Sequence, residues 1–370
     1  MEKMGNHFVF VCGDTGGTNY FLPVIRHLND LGHKTELFID PDGKGVEAAQ
    51  KAGVSFEVGM SINKLMAVLN SADIFCINTC ASATQLQEYV ANEVYTRKPL
   101  VMGADGFFNH AFEKWQKVKA DYWFAIDESH AQSVRELRSN LEPERVRTVG
   151  QPAFDSVLNY IPGKKETRER TRELLNIFDA EKVILWWSQG MLDLIYEDVC
   201  MLMHGLRYLS ESGSLYTLIL RIHPKLNKTV SEDYVESLNK LLKHYSPYSF
   251  RTVEADKIAG EELCLASDVI LSITCTEDIK NVMMGGPPVV HMIGPQAQKW
   301  FEQELKLTRP YLSDIKSGRS LVAWSVDQVG PQIEKALDPD IQKQLLAGWQ
   351  PPTQKAVDRM AEELIKIANL

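Results

Sequence analysis

The 370-residue chain is 44% apolar and 24% charged, the balance of a globular protein, and it is too long for one small core, so two domains are expected. Its 40 Lys and Arg against 49 Asp and Glu leave a formal net charge of −9, which excludes a nucleic acid as the main partner because neutralising phosphates needs a basic surface. A phosphorylated small molecule needs only a few local donors and stays open, whereas a membrane-spanning helix is excluded because no apolar run is long enough.

In chain order, the opening MEKMGNHFVF leads into a short strand that ends at a glycine turn, not into the apolar core of a signal peptide. Apolar runs at 7–12, 34–39, 73–78, 99–102 and 122–126 alternate with helical patterns. One such helix, 20–31, sets Leu22, Ile25, Leu28 and Leu31 close to one face. The stretch LNYIPGKKETRERTRELLNIF then reads as a boundary followed by a solvated, charged helix. Runs at 182–187, 216–222, 249–253, 268–273 and 288–292 repeat the layout, and PPTQKAVDRMAEELIKIANL closes the chain as a proline-started amphipathic helix. Strands alternating with helices predict an α/β protein with two parallel sheets: a first domain over 1–160, a second over 161–350 and a terminal helix over 351–370. Ligands of such sheets bind beyond the carboxyl ends of the strands, so the expected site is the cleft between the two domains.

Four loops at strand ends carry the candidate chemistry. The first, Gly13-Asp14-Thr15-Gly16-Gly17-Thr18-Asn19, brings backbone N–H groups and a helix start to an anion, or is a tight turn alone. It matches neither dinucleotide nor P-loop spacing, and Asp40 in DPDG is as good a turn residue as a ribose acid, so a nicotinamide dehydrogenase is disfavoured. The second loop is Ser188-Gln189-Gly190. The third is Arg221-Ile222-His223-Pro224-Lys225, a cationic corner suited to a diphosphate. The fourth carries Ser272, Thr274 and Thr276 just before a helix, as caps or as phosphate ligands. Six scattered cysteines (Cys12, Cys76, Cys80, Cys200, Cys264, Cys275) give neither zinc spacing nor a disulfide framework, so no metal, no other cofactor and a reducing cytoplasm are expected.

The order of these segments resembles the two-domain nucleotide-sugar glycosyltransferases of the GT-B fold and the related UDP-N-acetylglucosamine 2-epimerases. TGGTNYFLPVIRHLNDLGHKTEL resembles their opening loop and helix, and VRTVGQPAFDSV, with Gly150, Pro152 and Asp155, the end of their first domain. SQG at 188–190 is similar to a loop of the peptidoglycan N-acetylglucosaminyltransferase. LILRIHPKLNK resembles the His-Pro turn of epimerases and CDP-glycerol glycerophosphotransferases, and ASDVILSITCTEDIKNVMMGGPPVV a donor-binding strand, turn and helix. The chain departs from these relatives where the epimerases carry Arg-Pro-Glu, here Thr15-Gly16-Gly17. It departs again where the transferase histidine would stand, here Thr18, and where a donor-binding glutamate would stand, here Asn281, with Glu277 nearby. The epimerase set of acids is missing as well.

The resemblance implies two Rossmann-like domains facing a central cleft, with the last helix crossing back to the first. It further implies an inverting, metal-independent glycosyltransferase that takes a nucleotide-diphosphate sugar, UDP favoured, to a carbohydrate or lipid-linked acceptor. Arg221, His223, Lys225 and the 272–276 turn would hold the diphosphate, with Gly16, Gly17, Thr18, Asn19, Ser188, Gln189, Gly190, Glu277 and Asn281 completing the binding set. Asp14 stands first as the acceptor's base, with Asp105 and His110 as alternatives; an Asx-turn, a loop turn and a surface or packing position are their structural readings. The rivals are a 2-epimerase or sugar-nucleotide hydrolase, a CDP-glycerol-type glycerophosphotransferase and a non-catalytic sugar-nucleotide binding protein. GFFNHAFEKWQKVKADYWFAI reads either as a membrane-docking face or, preferred, as a helix packed on the sheet with solvated lysines. Replacing His223 by alanine is expected to weaken binding of a nucleotide diphosphate; unchanged affinity in a folded variant removes that assignment.

Overall fold

The computed structural model describes residues 5–80, 85–106, 108–139, 141–188, 190–211, 215–222, 250–254, 257–305, 313–316 and 318–370. His223, Lys225 and Gln189 lie outside the described residues. The chain divides into two compact units. The first takes the described residues through Ser156 together with Thr353–Leu370, and the second takes most of Val157–Pro352.

The first unit is built on β1 (His7–Cys12), β2 (Lys34–Ile39), β3 (Glu57–Val58), β4 (Ile74–Asn78), β5 (Leu100–Gly103), β6 (Tyr122–Ala125) and β7 (Val146–Thr148). They form one parallel sheet in the order β3-β2-β1-β4-β5-β6-β7. Both faces of the central strands are covered, which is why β1 is apolar without alternation. Val9 and Val11 pack with Trp115 and Trp123 on one face, while Phe8 and Phe10 pack with Phe21, Met360 and Leu364 on the other. The second unit holds β8 (Lys182–Trp187), β9 (Tyr216–Arg221), β10 (Phe250–Glu254), β11 (Val269–Ser272), β12 (Val289–Met292) and β13 (Leu321–Ala323), parallel in the order β10-β9-β8-β11-β12-β13. In each sheet the order reverses beside the first strand, at β1/β4 and at β8/β11. These are the places where loops leave in opposite directions and open a crevice for a ligand.

Two expectations change. The charged stretch after Pro162 does form a helix, Lys164–Leu174, but not a fully solvated one. Arg172 is buried, and it joins Arg168 on the two oxygens of Asp268, at 3.0 and 2.6 Å. The first helix begins earlier than the apolar spacing indicates, at Thr15, and continues through Pro23 to Asp30.

The GQPAFD segment has a structural task. Gly150 has φ +94°, and a Cβ there would lie 2.6 Å from that of Ala356. Asp155 accepts the first two N–H groups of helix Ala356–Ala368, Ala356 N at 2.8 Å and Val357 N at 2.9 Å. This caps the helix and satisfies donors that no earlier turn can reach. Asp155→Ala is expected to cost about 1–2 kcal/mol, lowering the melting temperature by roughly 2–8 °C and speeding amide exchange in that helix. Unchanged exchange would show that the cap contributes nothing.

Candidate functional site

In the first unit the glycine-rich segment is less a loop than the first turn of a helix. Asp14 is the N-cap, its Oδ1 accepting the Gly17 N–H at 2.9 Å. Gly17 is glycine because Asn78, at the end of β4, occupies the place a Cβ would take. Thr18 is fully buried: its hydroxyl donates to the Asp14 carbonyl at 2.9 Å and meets the Cys12 sulfur at 3.2 Å, so it faces the core rather than a ligand. Thr15, Gly16 and Asn19 are the exposed members of the set.

Across the β1/β4 crevice stands Asp105, just beyond β5. Its Oδ1 accepts the Thr79 hydroxyl at 2.8 Å and the Asn109 amide at 2.7 Å, and its carbonyl accepts the Gln151 amide at 2.8 Å. The second oxygen, Oδ2, lies beside Gly16, 3.2 Å from where a Cβ of that residue would sit. Burial and the charge of Asp14 push the Asp105 carboxyl up to about 7, against the hydrogen bonds from Asn109 and Thr79. The group is therefore poised to gain or lose a proton near neutrality, with one oxygen oriented by side chains and the other facing the crevice.

Other candidates turn out to be scaffold. His110 is not a surface residue; it is buried, with Nε2 2.7 Å from the Ser133 hydroxyl and Nδ1 2.9 Å from His130 Nε2. The Ile126 N–H reaches His130 Nδ1 at 3.2 Å, which fixes the chain of donors as His130 to His110 to Ser133. Burial holds both rings neutral. Asp40 accepts the Asp42 and Leu86 N–H groups at 3.0 and 2.8 Å, a turn and a helix start rather than a ribose site. Trp115 is buried, its indole N–H on the Cys80 carbonyl at 2.8 Å, with Lys114 over its outer side.

In the second unit the carboxyl edge at β8/β11 gathers Ser188, Gly190, Arg221, Thr274, Thr276 and Glu277. Ser188, nearly buried, donates its N–H to the Arg221 carbonyl at 3.0 Å, tying the two strand ends together. Thr276 is exposed at the start of helix Thr276–Met284 and Thr274 is half-buried before it. Ser272 is buried instead, donating to Asp278 Oδ2 at 2.5 Å. That same oxygen takes the Cys275 N–H at 2.8 Å, so the serine braces the turn. Asn281 is fully buried with its amide on the Pro287 carbonyl at 2.7 Å, and its side chain fills the space over Gly286. Burial pushes the Glu277 carboxyl up, against the pull of Lys280, 2.8 Å away, and of Arg221. Among the described residues no three His, Cys, Asp or Glu side chains gather as a metal site, and no helix is long and apolar enough to cross a membrane.

No protein-family model matches the chain, and a comparison with curated proteins gives no match. Solved structures do match. The UDP-GlcNAc 2-epimerase from Neisseria meningitidis, bound to UDP-GlcNAc, superposes with a TM-score of 0.65 at 13% identity, over 97% of this chain and 100% of that one. A glycosyltransferase from Rickettsia africae gives 0.63 at 12% identity over 99% and 98%. MurG from Acinetobacter baumannii gives 0.61 at 12% identity over 98% and 99%.

The fold is GT-B.

Because GT-B chains with such different reactions superpose equally well, the fold alone does not select among them. Sequence reasoning found Asp105 but missed its holders, Thr79, Asn109 and Gln151; Asn109, four residues on, was the one local signal. The two glycines should respond differently to substitution. Gly17→Ala must displace Asn78 and is expected to cost about 1–3 kcal/mol. Gly16→Ala, exposed and helical, should leave the melting temperature nearly unchanged while shifting the Asp105 titration, readable by carboxyl-carbon NMR. Equal destabilisation by both would contradict this packing.

Proposed function

We propose that this GT-B chain is a glycosyltransferase in which Asp105 takes the proton of an acceptor hydroxyl and the second unit holds a nucleoside-diphosphate sugar. The observation that carries the reading is the unequal pair of carboxylates at the first unit's crevice. Asp14 is the helix N-cap, its Oδ1 on the Gly17 N–H, while burial beside that charge pushes the Asp105 carboxyl up to about 7. A single carboxyl raised to near neutrality suits removal of a hydroxyl proton, while moving a proton at the sugar's C2 and returning it on the other face calls for both a base and an acid. The N. meningitidis neighbour carries UDP-GlcNAc, which makes a UDP-sugar the first donor to try.

In this reading the acceptor oxygen loses its proton to Asp105 Oδ2 and attacks the anomeric carbon from the face opposite the leaving group, inverting it. The bond from that carbon to the diphosphate oxygen breaks, and the electron pair leaves with the diphosphate. Arg221 and the backbone N–H groups at the start of helix Thr276–Met284 meet the charge that develops there, a task assigned to protein groups rather than to a metal ion. Thr274, Thr276 and Gly190 line the approach, and Glu277, with Lys280 and Arg221 at hand, is placed to accept a sugar or ribose hydroxyl.

Thermal-shift titration with UDP, GDP, CDP, dTDP, NAD and the available sugar conjugates tests the binding half: one nucleoside diphosphate should raise the melting temperature. A shift with NAD alone, or with none, overturns the reading. With donor and acceptor in hand, kcat/KM should rise with pH through about 7, because the carboxyl is raised and its basic form predominates only above that value. Asp105→Asn should lower kcat by about 10²- to 10⁴-fold with donor binding retained. Turnover of the donor alone would favour an epimerase or hydrolase instead.

A further inference from the structure

We propose that His291 is a positioning residue for the turn Ile273–Thr276, gripping the Ile273 carbonyl as a doubly protonated ring braced by Asp314. This rests on reading that turn as the receiver of the donor's diphosphate. His291 lies on β12 opposite Ser272 of β11 and is fully buried, as is Asp314 on the helix Ser313–Lys316. Its Nδ1 is 3.1 Å from the Ile273 carbonyl oxygen and its Nε2 is 2.6 Å from Asp314 Oδ2. A carbonyl oxygen only accepts, and so does an ionised carboxylate. A ring that bonds both must therefore donate from both nitrogens, which makes it an imidazolium.

The titratable groups that reach the ring are Asp314 and, from helix Thr276–Met284, Asp278, whose own carboxyl is pushed up to about 7 by burial. Burial works against the charge, but Asp314 outweighs it and His291 is pushed up to about 9, while Asp314 is held below its ordinary range by His291. The sign follows: the folded ring keeps both protons until pH approaches about 9, and the stability this contributes is full below the free-imidazole value near 6.5 and is lost as pH rises through about 9.

The consequence for the turn comes from peptide geometry. The Ile273 C=O and the Thr274 N–H belong to one planar trans unit and point in opposite directions. Holding the carbonyl on His291 therefore also sets the orientation of the Thr274 N–H, the other edge of the same plane. Asp278 holds the next peptide plane of the same turn through the Cys275 N–H. Two buried groups thus fix successive peptide planes just before the helix, and the inner one carries a positive charge.

The test uses the full-length protein with ¹⁵N-labelled histidine and backbone. At pH 7 the His291 ring should show two N–H protons, and on raising the pH it should lose one near pH 9 with the Thr274 amide signal moving at the same midpoint. In Asp314→Asn, checked for folding by its melt, that midpoint should drop by more than one unit and the Thr274 amide should follow. A single ring N–H at pH 7, or a Thr274 amide that ignores the ring, overturns the inference with no variant needed. UDP is then titrated at pH 7.5, where the variant is expected to bind about tenfold more weakly. Amide tracking without any UDP binding to the wild type would refute the diphosphate reading and leave the hold of His291 on the turn standing. Unaltered UDP affinity in a variant whose ring has gone neutral would refute the positioning role.

Discussion

Both sheets reverse their strand order beside their first strand, and the rest of the chemistry hangs on that constraint. A parallel sheet covered on both faces has no free surface for a ligand, so polar groups must collect at strand ends. Beyond β1, β4 and β5 the chain places Asp14, Thr79 and Asp105; at the carboxyl ends of β8, β9 and β11 it places Ser188, Arg221 and Thr274. Ladders such as Asn78 opposite Gly103 and Trp187 opposite Arg221 bring residues far apart in the chain into one small volume. The seven- and six-stranded sheets are the same device used twice.

Aspartate is the residue that organises these edges, and what it accepts decides what it does. Asp14, Asp40, Asp155 and Asp278 all take backbone N–H groups and thereby hold a helix start or a turn. Asp105 is held from one side by a threonine hydroxyl and an asparagine amide, with its other oxygen at the crevice. Desolvation next to Asp14 then makes its proton easy to move. The same side chain fastens the backbone at Asp14, Asp40, Asp155 and Asp278 and is left titratable near neutrality at Asp105, and the difference lies in the groups around it.

The strands were the most legible part of the sequence. Runs 7–12 and 182–187 coincide with β1 and β8, because a strand buried on both faces is apolar throughout. β3, β7 and β13, at two or three residues, are too short for any period to show. The glycine-rich segment misled because glycine signals a loop, yet Asp14 caps a helix that begins at once. At the candidate sites, exposure was the unreadable quantity. Thr18, Ser272 and Asn281 have the right chemistry in the right stretch, but each turns inward to a partner set by tertiary packing. The grip of Gln151 on Asp105 spans 46 residues, beyond the reach of local pattern.

The last helix packs against β1 and the first helix, so the earliest and latest parts of the chain share one core. Met360, Leu364 and Ile367 are made after the whole of the second unit, and until then Phe8 and Phe10 are short of their cover. The first unit must therefore wait, part-built, for its closing segment. Its crevice acquires a finished scaffold only once the other unit has been synthesised, an ordering in time that the arrangement of strands alone does not reveal.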